Sequence, residues 1–271
     1  SSFSRKTLGF FPLKVDFIDK SGILLEGKEL IVKLKPLDHE VMIALEIVAS
    51  QCDENIYELI KGKMPLFGFK NCHTRELFFY AEHSPTIEDL FPQYYAHHIE
   101  PEREIFLLII ENFHQRSILL EESENCPSSW TSEMVEIALQ GIARIHIHFS
   151  NAKNKSNIST WVEKPIDLES LIQLLPFFKE TSRFILENYY NSIDSNAVAL
   201  YQKVFEEING WWTIKENYPE TLVHNDFSPR NLVIHRSEGT IKPLFYDWEL
   251  SCLNIPHRDV VEFLSFMNDL D

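Results

Sequence analysis

The sequence predicts an α+β protein of two lobes, a small N-terminal lobe of mixed strands and helices over residues 1–112 and a mostly helical C-terminal lobe over residues 113–271. Three observations lead to this prediction. The first part of the chain alternates strand-like and helix-like patterns, an apolar β-branched run ends near Phe113, and helical patterns dominate the rest around a few short strands. We expect the lobes to be joined at one crossing, with a cleft between them.

The N-terminal lobe is predicted from four segments. A turn around Gly27, followed by a strand that a proline ends, is predicted by "GILLEGKELIVKLKP". In this strand Ile31, Lys33 and Lys35 should share one face, because successive strand residues point to opposite sides. A helix with Asp38 as its N-cap follows, a second short helix is predicted by "HTRELFFYAEH", and a buried strand by "EIFLLIIENF".

The C-terminal lobe is predicted to be helical around a small β ribbon. A helix with Ser132 as its cap is predicted by "SSWTSEMVEIALQGIARIHIHFSN", and further helices by residues 166–213. Three short apolar strands follow in "TLVH", "NLVIHR" and "KPLFYDWEL". The adjacent histidines His97 and His98 are expected in a turn-rich loop rather than in a metal site.

Composition excludes several classes of protein. The 271 residues are 44% hydrophobic, which is enough for a large core, and no apolar run reaches the roughly 18 residues that a membrane span needs. The formal net charge of −16 argues against nucleic-acid binding and is compatible with a cationic substrate. The four cysteines are widely spaced, which is typical of free thiols in a reducing compartment, so we expect a cytoplasmic protein.

The turn "HNDFSPRN" contains more polar residues than a turn requires. It places Asp226 five positions before Asn231, and Asp247 follows the next apolar strand. Oxygen ligands of this type suit Mg²⁺, which often shares them with substrate phosphates. An aspartate that does not bind the metal can orient a hydroxyl group, so the three residues suit phosphoryl transfer to an alcohol. A simple turn and a capped strand end remain the alternative interpretation.

The segments "HNDFSPRNLVIH" and "YDWE" resemble the catalytic loop and the metal-binding segment of the aminoglycoside phosphotransferase and choline kinase group. That group has a protein-kinase-like fold, and the spacing from Asp226 to Asn231 is also that of protein kinases. Asn225 stands where the group usually has glycine, and asparagine tolerates the same left-handed backbone. Three weaker similarities occur in the expected order: "RELFFYAEHSP", "ALQGIARIHIHF" with His146 at a group histidine, and "NIPHRDVVEFL" with Asp259 at a group acid.

The resemblance implies roles for four residues in and near the polar turns. Asp226 would be the catalytic base or the residue that positions the hydroxyl. Asn231 and Asp247 would bind Mg²⁺. His224 would brace the loop through hydrogen bonds.

The resemblance also implies an ATP site in the N-terminal lobe. Lys33 would hold the α- and β-phosphates of ATP and Glu76 would pair with it, while Lys35 is an alternative lysine and Glu40 and Glu46 are alternative acids. Adenine would meet the backbone at the crossing between the lobes, at Glu111, Asn112 and Phe113.

Two departures from the group affect the expectations. No glycine-rich loop precedes the lysine strand, so "SSFSRK" would cover the phosphates. The group usually adds several helices after the metal aspartate, whereas this chain stops 24 residues after Asp247. We therefore expect the C-terminal lobe to be incomplete and residues to be missing upstream.

The predicted function is ATP- and Mg²⁺-dependent transfer of the γ-phosphate to a hydroxyl of a small molecule. The acceptor is expected against residues 160–215, where four acids could attract an amine-bearing compound: Asp167, Glu169, Glu187 and Glu206. A Ser or Thr hydroxyl of a peptide is an alternative acceptor, and a catalytically silent nucleotide-binding protein is an alternative function. Nucleic acid and membrane are not expected as partners, and the sequence leaves the oligomeric state and the choice between ATP and GTP open.

Overall fold

The computed structural model describes residues 9–18, 21–82, 84–121, 126–189 and 195–267. Packing divides the chain into two compact units. The sheet unit comprises residues 1–37, 72–162 and 220–271, and the helical unit comprises residues 38–71 and 163–219. The lobe boundary between residues 112 and 113 stays a prediction.

The described residues form strands and helices with the following bounds. The strands are β1 Phe10–Ile18, β2 Leu24–Leu34, β3 Tyr94–Glu100, β4 Ile105–Glu111, β5 Ser117–Leu120, β6 Thr221–Val223, β7 Leu232–Ser237, β8 Thr240–Phe245 and β9 Cys252–Asn254. The helices are α1 Asp38–Cys52, α2 Glu54–Ile60, α3 Cys72–Glu82, α4 Ser132–Ser150, α5 Ala152–Ile158, α6 Leu168–Tyr189, α7 Ser195–Glu206, α8 Ile208–Glu216 and α9 His257–Ser265.

The sheet unit contains a four-stranded antiparallel sheet in the order β1-β2-β4-β3. Its central strands β2 and β4 set Lys33 opposite Leu108. Leu77, Phe79 and Tyr80 of α3 are almost fully buried in the same core cluster as Leu108. The apolar side of α3 therefore holds this helix in the core of the sheet, and Glu76 is carried on the same helix.

Two small antiparallel sheets complete the sheet unit, in the orders β5-β7-β8 and β6-β9. The long helix α4 packs against β8, where Gly141 allows close contact with Phe245 and Pro243. The helix is capped by Thr131, whose hydroxyl accepts the Met134 N–H at 3.2 Å, and Ser132 is the first helical residue instead of the cap. Two strands of the predicted β ribbon, β7 and β8, pair with each other, whereas the first, β6, pairs with β9 in a separate sheet.

The helical unit is built from α1, α2, α6, α7 and α8. Asp53 caps α2 by accepting the N–H groups of Asn55 and Ile56. Ile56 and Ile60 of α2 are buried in one core cluster with Phe177 and Phe184 of α6 packed against it. Helices predicted within residues 166–213 are confirmed as α6, α7 and α8.

Three expectations about strands are corrected by the structure. Gly27 does not form a turn between elements; it lies inside β2 with a φ of +60°, close to the irregular pairing with β1 at Val15. The two edge strands β1 and β3 were not predicted, and His97 and His98 lie in β3 rather than in a loop. Among the described residues, each of these edge strands pairs on one side only, with the strand that follows it in the chain, and β1 is mostly exposed, so an alternating apolar pattern is weak.

The remaining expectations concern the membrane and the cysteines. None of the helices that the structure describes has the length and apolar character needed to cross a membrane. All four cysteines are free thiols, with Cys72 and Cys252 buried and Cys52 and Cys126 exposed.

Candidate active site

The buried face of β2 brings two lysines to one glutamate. Lys33 and Lys35 are both buried, as the alternation of strand residues predicts. Glu76 on α3 is 1% exposed, and its Oε2 lies 2.7 Å from the Nζ atoms of both lysines. Glu40 and Glu46, the alternative acids, lie on α1 in the helical unit.

A second pair of acids reaches the same lysines from the segment after β8. Lys33 donates a hydrogen bond to Asp247, and Lys35 donates one to Glu249 and lies 3.9 Å from Asp247. Asp247 has a φ of +67°, a backbone conformation that turns the chain sharply at the end of β8. The structure therefore joins the lysine strand, α3 and the "DWE" segment into one ion-pair cluster.

The three acids of this cluster also form a possible cation site. One oxygen from each of Glu76, Asp247 and Glu249 lies within 4.8 Å of the others. Glu249 was not among the predicted site residues, although the quoted "YDWE" segment contains it. Its position two residues after Asp247 gave no sign that it would reach Lys35.

The charges of this cluster stabilise one another. Burial raises the pKa of Glu76 and of Asp247, but the ammonium groups of Lys33 and Lys35 outweigh burial and hold both pKa values below their usual range. Burial also lowers the pKa of Lys35, but the carboxylates of Glu76 and Glu249 outweigh it and raise that pKa well above the usual range. Glu76, Asp247 and Lys35 are therefore charged at neutral pH.

The loop "HNDFSPRN" holds Asp226 through two of its side chains. The Arg230 Nη2 lies 2.8 and 2.9 Å from the two carboxylate oxygens of Asp226. Asn231 Nδ2 donates to Asp226 Oδ2 at 2.9 Å and to the Asp226 carbonyl at 2.7 Å. The Asp226 carboxylate is thus oriented by three hydrogen bonds.

Asn225 and His224 shape the start of this loop. Asn225 has a φ of +64°, the left-handed conformation predicted from its place in the motif, and its side-chain amide donates to the Leu250 carbonyl at 3.1 Å. The His224 Nε2 lies 2.9 Å from the carbonyl oxygen of Tyr246. His224 therefore links the loop to the end of β8.

A buried acid on α9 fixes the same loop. Asp259 is fully buried and accepts the backbone N–H groups of His224 and Asn225 at 2.8 and 2.9 Å. His146 of α4 lies 2.9 Å from the same carboxylate through its Nε2. The two residues singled out by the weaker sequence similarities thus meet behind Asp226.

Asn231 and Asp247 lie at the same end of the β7–β8 pair. Leu232 pairs with Phe245, and the Asn231 carbonyl accepts the Tyr246 N–H at 3.0 Å. Because the Asn231 amide nitrogen donates to Asp226, its Oδ1 is the atom suited to a cation. Amide and carboxylate oxygens fit Mg²⁺ by ligand type.

The three residues predicted to meet adenine lie at the end of β4, with Glu111 as its last residue and Asn112 and Phe113 directly after it. The Glu111 carboxylate accepts the Arg116 Nε and Nη2 groups at 3.0 and 2.7 Å, and the Asn112 N–H donates to the Glu29 carbonyl at 3.3 Å. Phe113 is buried, and its ring stacks on Tyr246 with centroids 5.1 Å apart. Hydrogen bonds and the ring contact therefore fix all three residues of this segment in place.

Two of the four acids predicted to attract an amine have local structural contacts. Asp167 accepts the Ser170 N–H at 2.8 Å at the start of α6. Glu187 forms an ion pair with Arg183 four residues earlier on the same helix. Attraction of an acceptor by these acids stays a prediction.

Comparison with known proteins finds a match to one family model in the C-terminal part of the chain. Residues 176–271 match the model of the family described as "Phosphotransferase enzyme family". The predicted resemblance is confirmed. The matched phosphotransferase region contains Asp226, Asn231 and Asp247, whereas Lys33 and Glu76 lie outside it.

Solved phosphotransferase structures share the fold. The GDP and kanamycin complex of APH(2")-IIia is 15% identical, with a TM-score of 0.51, over 98% of this chain and 76% of that chain. The GDP complex of a single-residue mutant of aminoglycoside 2'-phosphotransferase-IIIa is 13% identical, with a TM-score of 0.51, over 100% of this chain and 80% of that chain. These two matches confirm the predicted protein-kinase-like fold. No curated protein matches the chain significantly by sequence.

Proposed function

We propose that this phosphotransferase moves the γ-phosphate of ATP, with Mg²⁺, to a hydroxyl of a small molecule. The observation that carries the proposal is the ion-pair cluster that joins Lys33 and Glu76 to Asp247. A lysine paired with a helix glutamate, next to an aspartate in a metal-binding segment, is the set of groups that kinases use to hold a nucleotide. The family match over the loop of Asp226 supports the same conclusion.

Lys33 is the residue that we assign to the nucleotide phosphates. Its side chain keeps 9% of its exposure, whereas the Lys35 side chain is completely buried between Glu76 and Glu249. Lys35 therefore acts as a structural cation that holds the two acids in place. The backbone of Glu111, Asn112 and Phe113 would meet the adenine.

Asn231 Oδ1 and the Asp247 carboxylate would hold Mg²⁺, with Glu249 close enough to Asp247 to add a third oxygen. When bound, Mg²⁺ supplies positive charge that offsets the charge of the phosphates during transfer. Lys33 would add a second positive charge close to the metal ion, because its ammonium group contacts the proposed metal ligand Asp247.

Asp226 would receive the acceptor hydroxyl. Its carboxylate is oriented by Arg230 and Asn231, so it can accept a hydrogen bond from the hydroxyl and take its proton. The hydroxyl oxygen would then bond to the γ-phosphorus of ATP while the bond from that phosphorus to the bridging oxygen breaks and ADP leaves. Asp259 keeps the loop rigid through two backbone hydrogen bonds. The folded loop would thus hold Asp226 in the position that orients the acceptor hydroxyl.

A small-molecule alcohol is the acceptor that we favour. We propose that the reaction takes place in the cytoplasm. One solved structure with this fold is a complex with GDP and kanamycin. An amine on the acceptor is compatible with the net charge of −16, and a Ser or Thr hydroxyl of a peptide is the second candidate acceptor.

Nucleotide binding tests the first part of the proposal. Thermal unfolding is measured with ATP, with and without Mg²⁺, and we expect Mg²⁺ to increase the stabilisation by ATP. No stabilisation at millimolar ATP in either condition would contradict the proposal. Stabilisation without any phosphoryl transfer would instead favour the catalytically silent nucleotide-binding protein.

Transfer is tested by a mass-shift screen with three classes of acceptor: amino alcohols, aminoglycosides and Ser/Thr peptides. Running each acceptor with ATP and with GTP also decides the donor. A phosphate added to any small alcohol supports the proposal, whereas a phosphate added only to peptides supports the second acceptor class.

A further inference from the structure

Arg230 is a cation placed directly on the proposed catalytic carboxylate. Its Nη2 contacts both oxygens of Asp226, at 2.8 and 2.9 Å, so one guanidinium nitrogen bridges the two carboxylate oxygens. The sequence motif gave no role to this position. The contact is an ion pair four residues apart in a loop, with the arginine side chain 53% exposed and the aspartate side chain 19% exposed.

The backbone that carries Arg230 is held in place. It belongs to the short 3₁₀ turn Pro229–Asn231, and Pro229 and Asn231 are buried on either side of it. The Tyr246 hydroxyl donates to the Arg230 carbonyl at 2.7 Å. These contacts fix the backbone of Arg230, and the ion pair places its guanidinium at Asp226.

This cation changes the charge that an acceptor meets. Asp226 and Arg230 are the only Asp, Glu, Lys or Arg residues within "HNDFSPRN", so their formal charges cancel. A loop with Asp226 alone would attract an ammonium group next to the reacting hydroxyl. With Arg230 on the same carboxylate, an ammonium at that position meets a like charge at close range.

We propose that Arg230 is a specificity-determining residue, which selects an acceptor with a neutral or anionic group beside the reacting hydroxyl and disfavours one with an ammonium there. A hydroxyl or carboxylate of the acceptor can accept a hydrogen bond from the guanidinium that faces Asp226. An amine farther from the reacting hydroxyl is compatible with this selection. The inference rests on the proposed transferase function and refines its acceptor class.

The experiment uses two sets of matched acceptors that differ in the group at one position near a hydroxyl: aminopropanediol, glycerol and glycerate, and 6-amino-6-deoxyglucose, glucose and glucuronate. Each is added to the acceptor screen with Mg²⁺ and ATP, and initial rates are measured by mass shift. We expect the wild-type protein to prefer the neutral or anionic member by about tenfold or more over the amine. The ratio of the rate on the neutral or anionic acceptor to the rate on the amine should approach one in Arg230→Gln. Arg230→Lys should keep the wild-type ratio.

Controls separate this effect from misfolding and from a general loss of charge. Stabilisation by Mg²⁺ and ATP should be equal in the wild-type protein and in both Arg230 variants. Arg236→Gln removes a positive charge at an exposed position of β7, outside the loop, and should keep the wild-type ratio.

The outcomes are distinguishable from a failure of the proposed function. Equal wild-type rates on amine and neutral acceptors, or an unchanged ratio in Arg230→Gln, would overturn the role of Arg230 while leaving the transferase intact. Absence of transfer to every acceptor in the screen, peptides included, by a chain that binds Mg²⁺ and ATP overturns the transferase proposal and this inference together.

Discussion

Lys33 and Lys35 share one glutamate but differ in the groups around them. The Lys35 side chain is completely buried and contacts Glu76 and Glu249, whereas Lys33 is slightly exposed and contacts Glu76 and Asp247. A buried charge that loses its partner is costly, because neither water nor another ion compensates it. Replacing Lys33 and replacing Lys35 should therefore have different effects on stability and on nucleotide binding.

Replacing each lysine by methionine tests this difference. Lys35→Met leaves Glu76 and Glu249 without their shared cation, so the free energy of unfolding should fall by about 3–5 kcal/mol. Lys33→Met should destabilise less, because Lys35 still pairs with Glu76, but it should abolish most of the stabilisation by Mg²⁺ and ATP. Urea unfolding and thermal unfolding with nucleotide measure the two effects, and the opposite pattern would exchange the roles of the lysines.

The pH dependence of stability follows from the same cluster. The pKa values of Glu76 and Asp247 lie below their ordinary 4.5 and 3.8, so their contribution is complete above about pH 4.5 and is lost as pH falls through the folded values. The pKa of Lys35 lies above its ordinary 10.5, so its contribution is complete below that pH and is lost only as pH rises through the folded value. The cluster should therefore stabilise the protein fully across neutral pH.

Acid should reduce the effect of Lys35→Met. In this variant Glu76 lacks one of its two cations, and protonation of its carboxyl group removes the buried charge. The difference in unfolding free energy between the wild-type protein and Lys35→Met should thus be larger at about pH 7 than at about pH 4. Urea unfolding at both pH values measures it; a constant difference would mean that Glu76 is not the group that Lys35 compensates.

At the scale of elements, the contact between α4 and β8 depends on one glycine. A Cβ at Gly141 would lie 2.7 Å from Phe245 Cζ and 2.9 Å from Pro243 Cγ, closer than packed atoms allow. Phe245 precedes the segment of Asp247, and α4 also carries His146, which contacts Asp259. The close approach of α4 and β8 therefore supports two parts of the site.

Gly141→Ala should lower the free energy of unfolding by about 1–3 kcal/mol, because the added methyl group overpacks this contact. Gly210→Ala is the matched control, since Gly210 lies in α8 and a Cβ there meets nothing within 4 Å. The control should be neutral or stabilising by up to about 1 kcal/mol, because alanine favours helices over glycine. Equal effects of the two substitutions in urea unfolding would contradict the close packing of α4 on β8.

At the scale of the whole molecule, the sequence predicted the buried elements better than the edges. The strand β4 and helix α3 have strong apolar patterns because their apolar side chains face the core. The edge strand β1 is mostly exposed and has a proline within it, so its structure depends on pairing with β2. A single sequence carries little information about such pairing.

The site was predictable where its residues are close in sequence. Asp226 and Asn231 lie in one loop, so their spacing, together with the resemblance, predicted that they would share a site. The contacts of Lys35 with Glu249 and of His146 with Asp259 join residues more than a hundred positions apart, and no periodicity encodes them. Arg230 lies within the loop, yet only the folded turn shows that its side chain faces Asp226.

The most direct measurement of the central claim compares two alanine variants in nucleotide affinity and in phosphoryl transfer. Asp247→Ala should lose the Mg²⁺-dependent part of ATP affinity, because it removes a proposed metal ligand, while Asp226→Ala should keep that affinity and lose transfer to the acceptor found in the screen. Calorimetry with ATP and Mg²⁺, together with mass-shift rates, gives both quantities. Retention of transfer by both variants would contradict the proposed active site.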